Sequence, residues 1–65
     1  MMTVNGKEIP WTENLSVADY LDANGYKINR IAVELNYEIV PKSQYSTTLL
    51  KEGDVMEVVS FVGGG

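Results

Sequence analysis

Apolar and polar positions along this chain fall into short runs separated by turn residues, and the period of the pattern changes once. Met2-Thr3-Val4 alternates, and Asn5-Gly6 follows it. Both central positions of a type I′ turn need positive φ, which Asn and Gly tolerate, so the pair predicts a tight hairpin. The return strand is expected over residues 7–11, and Pro10 within it cannot donate to a ladder, which predicts an edge strand. The period then lengthens. Val17, Tyr20 and Leu21 stand at i, i+3, i+4 spacing, the stripe of a helix. Ser16 is a suitable N-cap, Asp19 three residues on gives a weaker form of the capping box, and Leu15 and Tyr20 are placed for a hydrophobic staple. Gly25 suits the C′ position that ends this helix of about two turns.

Period two returns in Ile31, Val33 and Leu35. Asn36-Tyr37 predicts a turn, Glu38-Ile39-Val40 a short strand stopped by Pro41, and residues 42–45 a single 3₁₀ turn. Thr47-Thr48-Leu49-Leu50 is expected to pair briefly, and Lys51-Glu52-Gly53-Asp54 to form a tight turn. Residues 55–61 are the longest apolar strand. Along it Val55, Glu57 and Val59 share one face, and Met56, Val58 and Ser60 the other. Apolar residues on both faces predict a sheet covered twice, by the helix and by a partner. An early hairpin, one crossing helix and later strands make an α+β fold with the helix on one face of a mixed sheet of about four or five strands. A right-handed crossover brings the third strand parallel to the second or near it. This order matches the β-grasp. One domain is expected over residues 1–60, with residues 61–65 as a flexible tail.

Composition narrows the chemistry. Sixty-five residues bury too little surface to frame a deep catalytic cleft, though 45% hydrophobic residues suit one sheet with one helix against it. Cysteine and histidine are both absent, which removes disulfides, thiolate sites, the commonest general base and the commonest metal ligand. No catalytic residue, metal site or bound cofactor is expected. A net charge of −4 disfavours nucleic acid and favours a partner with a basic docking face. The start lacks a basic n-region, and no run approaches the ~20 apolar residues of a membrane span, so the expected location is the cytoplasm, off the membrane.

What remains is the glycine run Gly63-Gly64-Gly65. Alone it reads equally as a frayed end or as a functional tether. As a tether, a strip without Cβ atoms is thin, accepts φ of either sign, and can thread a narrow channel to present an α-carboxylate to a nucleotide. Extended, the last few residues reach roughly 13–18 Å from the sheet. Val59, Phe61 and Val62 beside it either close the core or anchor a partner. Glu52 and Asp54 read as solvated residues flanking a turn glycine, and Trp11 as packing at the sheet rim.

Several of these segments together resemble the sulfur carrier proteins of thiamine biosynthesis, the ThiS family. The resemblance runs over nearly the whole chain: the Asn5-Gly6 hairpin with Trp11 after it, Ala32-Val33-Glu34-Leu35-Asn36, Ile39-Val40-Pro41 followed by Lys42 and Tyr45, Gly53-Asp54 before an apolar strand, and above all Phe61-Val62-Gly63-Gly64-Gly65. Many members end in two glycines, which match Gly64 and Gly65. The resemblance implies a β-grasp carrier rather than an enzyme. A ThiF-like adenylyltransferase would use ATP to join the Gly65 carboxylate to AMP. Persulfide sulfur from a sulfur-donor protein would convert it to a thiocarboxylate, and a ThiG-like thiazole synthase would receive the sulfur. Gly63 and Gly64 would enter the partner's active site. The small subunit of molybdopterin synthase, with the same fold and tail, is the alternative, and a plain interaction module is a third reading.

Overall fold

In the computed structural model, described over residues 1–61, strands β1 (Met2–Val4) and β2 (Lys7–Ile9) form the expected hairpin, with Asn5 and Gly6 at φ 51° and 82°. Strand β2 stops at Ile9, short of Trp11, because Pro10 has no N–H to continue the ladder. Trp11 instead turns its indole N–H onto the Leu50 carbonyl at 2.8 Å, pinning a distant loop to the sheet rim.

Helix α1 (Val17–Ala23) is closed at both ends by the residues that predicted it. The Asp19 N–H donates to Ser16 Oγ at 3.0 Å, and the Ser16 N–H donates back to Asp19 Oδ2 at 3.4 Å. At the other end Gly25 adopts φ 76°. The Gly25 N–H then reaches the Asp22 carbonyl and the Tyr26 N–H the Leu21 carbonyl, the two bonds of a Schellman cap. Val17 and Leu21 are fully buried, while Tyr20 is only partly so.

Strands β3 (Ile31–Leu35), β4 (Glu38–Ile39) and β5 (Val55–Ser60) complete a five-stranded sheet in the order β2-β1-β5-β3-β4. Strand β5 runs parallel to β1 and antiparallel to β3. It follows that β3 runs in the same sense as β2, as the crossover requires, but β1 and β5 lie between them. Both sheet edges are short strands, β2 and β4, a common defence against edge pairing. Val40 falls just outside β4, and its N–H bonds the Val33 carbonyl at 2.9 Å. The residues 47–50 expected to pair give one antiparallel bridge, Leu49 with Ser16. The 3₁₀ turn at Lys42–Gln44 is present, and a second one at Ile28–Arg30 leads into β3.

Alternation along the strands sends Met2, Val4, Ile31, Val33, Met56 and Val58 to one face, where they meet Val17 and Leu21 of α1 with Val40, Tyr45 and Leu50. Every buried side-chain nitrogen or oxygen among the described residues has a hydrogen-bond partner.

Candidate functional site

Strand β5 is the last strand before the glycine run in the sequence. It is the central strand, hydrogen-bonded on both sides. On the β1 side its ladder covers only Val55 and Met56, whereas on the β3 side it runs from Met56 to Ser60. Beyond Val4 the asparagine of the hairpin turn takes over. The Asn5 N–H donates to the Met56 carbonyl at 2.9 Å, its Oδ1 accepts from the Val58 N–H at 2.7 Å, and its Nδ2 donates to the Val58 carbonyl at 3.3 Å. The side-chain amide thus does for Val58 what the backbone of a further strand residue would do.

A second asparagine does the same at the start of β5. Asn36 has φ 52°; its N–H donates to the Val55 carbonyl at 2.7 Å and its Oδ1 accepts from the Val55 N–H at 2.9 Å. Its Nδ2 donates to Asp54 Oδ1 at 3.0 Å, and the other carboxylate oxygen of Asp54 accepts from the Lys51 N–H at 2.7 Å. Asp54 is therefore a buried brace of the turn, not a solvated flank. At the far end the Phe61 N–H donates to the Arg30 carbonyl at 2.8 Å, which keeps the chain in the plane of the sheet one residue past β5.

Of the residues expected to meet a partner, Val59 and Phe61 are each 54% exposed. They do not close the core; Met56 and Val58 on the opposite face do. The face bearing Val59 is left uncovered by this chain, and across it Val59 pairs with Ala32, Glu57 with Glu34, and Glu34 with Ile39, itself 66% exposed. Val62, expected as a third anchor, and Gly63, Gly64 and Gly65, expected as the reactive tail, lie outside the described residues. Among the described residues there is no pocket, no group of His, Cys, Asp and Glu able to hold a metal ion, and no helix long and apolar enough to cross a membrane.

A five-stranded mixed sheet crossed by one helix, with its central strand running on into a glycine strip, defines a ubiquitin-like, β-grasp domain. The solved structure of the thiamine biosynthesis protein ThiS from Geobacter metallireducens has the same fold, with a TM-score of 0.79 and 34% sequence identity over 98% of this chain and 97% of that one. The chain belongs to the ThiS family, matching it over residues 2–65. It is 39% identical over 66 residues to the sulfur carrier protein ThiS of Bacillus subtilis (strain 168), a match that spans the whole of both. It is also 39% identical over 64 residues to part of the thiazole synthase of Paramagnetospirillum magneticum, where 98% of this chain corresponds to 20% of that longer protein.

Proposed function

We propose that this chain carries sulfur for the thiazole moiety of thiamine and is a protein co-substrate rather than an enzyme. One observation carries the proposal: the ThiS match continues through residue 65, so the glycine strip falls inside the family's matched region rather than beyond it. That match favours the thiamine role over the molybdopterin-synthase alternative.

The chemistry follows from the groups available. A carboxylate is a poor electrophile and must gain a good leaving group before a sulfur nucleophile can displace it. An adenylyltransferase would transfer AMP from ATP to the Gly65 α-carboxylate with release of pyrophosphate, creating a good leaving group. The terminal sulfur of a protein persulfide then attacks the carbonyl and AMP departs. A second thiol cleaves the sulfur–sulfur bond, leaving the Gly65 thiocarboxylate and a disulfide on the donor side. A thiazole synthase takes up that sulfur. Gly63 and Gly64 supply the narrow strip that lets Gly65 reach a partner's active site, and β5 supplies its fixed base. A relative in which a segment like this one and a thiazole synthase share one polypeptide supports that enzyme as the acceptor. ATP is used by the activating partner and is not held by this chain, consistent with work in the cytoplasm.

Incubation with ATP, a ThiF-like adenylyltransferase and a sulfur donor should raise the protein's mass by the difference between sulfur and oxygen, located by fragmentation on Gly65. A variant lacking Gly65, or extended beyond it, should gain nothing while melting at the same temperature. Absence of the adduct on the intact chain, or its persistence without Gly65, rules the proposal out.

A further inference from the structure

The sheet face turned away from α1 carries two like charges in register, and no ion pair among the described residues offsets them. Glu34 of β3 and Glu57 of β5 are register partners. Val55 directs its N–H and carbonyl to Asn36 on the β3 side, and Val58 directs its own to Asn5 on the β1 side. Alternation therefore turns the backbone of Glu57 toward β3, and the two glutamates form a directly opposed pair with Cβ atoms roughly 5 Å apart. Like charges placed this way destabilise a sheet. Among the described residues the one ion pair joins the Met1 ammonium to Glu52 and leaves both of these carboxylates unmatched.

Their surroundings are apolar. Ile39 flanks Glu34 on β4, Val59 and Ala32 are the next pair along the sheet, and Phe61 lies beyond Val59. With Ile39 66% exposed and Val59 and Phe61 each 54% exposed, this is a face suited to being covered. A purely apolar cover would bury two unpaired carboxylates, which is strongly unfavourable. The cover must bring a cation. An arginine fits best, because its planar fork of donors can bridge two carboxylates while its stem lies along apolar neighbours. A second copy of this chain does not fit, since a two-fold contact sets the same patch against itself and would stack four glutamates.

We propose that this face docks a thiazole synthase, with one arginine of that enzyme seated between Glu34 and Glu57 and its apolar neighbours covering Ile39, Val59 and Phe61. The choice of occupant rests on the sulfur-carrier function proposed above and on the relative that joins a domain like this one to a thiazole synthase. The chain's net charge of −4 adds long-range attraction to a basic docking surface.

The test is a calorimetric titration of the intact chain and its E34Q, E57Q and double variants against the thiazole synthase of the same organism, with a thermal melt of each free chain. Each single glutamine should weaken binding by roughly 10-fold or more, and the double variant should lose more than the product of the two, because it alone leaves the cation buried without a counter-charge. The same substitutions should raise the melting midpoint of the free chain by roughly 1–6 °C, since the repulsion is relieved. Loss of affinity together with gain of stability is a signature that a merely structural pair would not give. Affinities within about twofold of the unmodified chain overturn the proposal, as does a lowered midpoint. Dimerisation of the free chain that the charge reversal E57K disrupts also overturns it. If the unmodified chain accepts sulfur but does not bind thiazole synthase, the docking proposal fails and the carrier function stands; if it accepts no sulfur at all, the carrier function fails first.

Discussion

Replacing Asn5 by glycine separates two tasks that the residue performs together. Glycine keeps the positive φ of the hairpin turn and the backbone bond to Met56, but it removes both side-chain bonds to Val58. The bond at 2.7 Å has good geometry and contributes about 1 kcal/mol net, and the one at 3.3 Å is weaker, about 0.5 kcal/mol. Glycine also enlarges the unfolded ensemble, for a further ~0.5 kcal/mol. The expected loss for N5G is thus about 2 kcal/mol, which for a domain of this size lowers the melting midpoint by roughly 8–16 °C. N5A loses the same bonds and must also hold a Cβ at φ 51°, adding about 1 kcal/mol. Urea and thermal unfolding followed by far-ultraviolet circular dichroism, and by the fluorescence of Trp11, the chain's one tryptophan, measure both. A loss below about 0.5 kcal/mol in N5G refutes the idea that the Asn5 amide acts as a strand residue, and an N5A no less stable than N5G refutes the cost assigned to a Cβ at φ 51°.

Two further outcomes follow from the same geometry. Tyr37 holds φ 70° in the turn between β3 and β4 with its side chain 82% exposed, so Y37G relieves backbone strain while giving up little packing; urea denaturation should show a gain of roughly 0.5 kcal/mol. Burial, with Tyr26 nearby, raises the Tyr20 phenol above its ordinary 10.0, and burial raises Tyr45 likewise against a smaller opposing contribution from the Val33 backbone. Both phenols stay protonated longer in the folded state than in the unfolded one. Their stabilising contribution is complete below the unfolded value of 10.0 and is lost as pH rises through the higher folded values. Melting midpoints should fall above pH 10.0, in step with delayed tyrosinate absorbance; a midpoint that rises there contradicts the assignment.

Local features of the fold were legible because their partners are close in sequence. The Asn5-Gly6 turn, the Ser16–Asp19 capping box and the Gly25 terminus each depend on residues within about four positions. Strand ends were less so: Pro10 shortened β2, and the 47–50 run reduced to one bridge, because pairing depends on which neighbour the topology supplies. The tasks of Asn5 and Asn36 beyond their turns were missed for the same reason. Their side chains bond residues 53 and 19 positions away, and nothing local marks an amide that will meet a strand only after folding. The one available signal was that each stands just past the end of a strand, where a ladder needs an extra donor and acceptor. In the same way the two faces of β5 could be separated by alternation, yet the opposed placement of Glu34 and Glu57 required the register.

The central position of β5 also has a mechanical meaning. A load applied to the chain beyond Phe61 falls on the strand behind it. Because β5 is flanked by β1 in parallel and β3 in antiparallel alignment, a load along its axis is spread in shear over both ladders and the Asn5 and Asn36 contacts at once. An edge strand under the same pull would peel away one hydrogen bond at a time. The fold thus resists a load along β5 better than it would resist the same load on either edge strand.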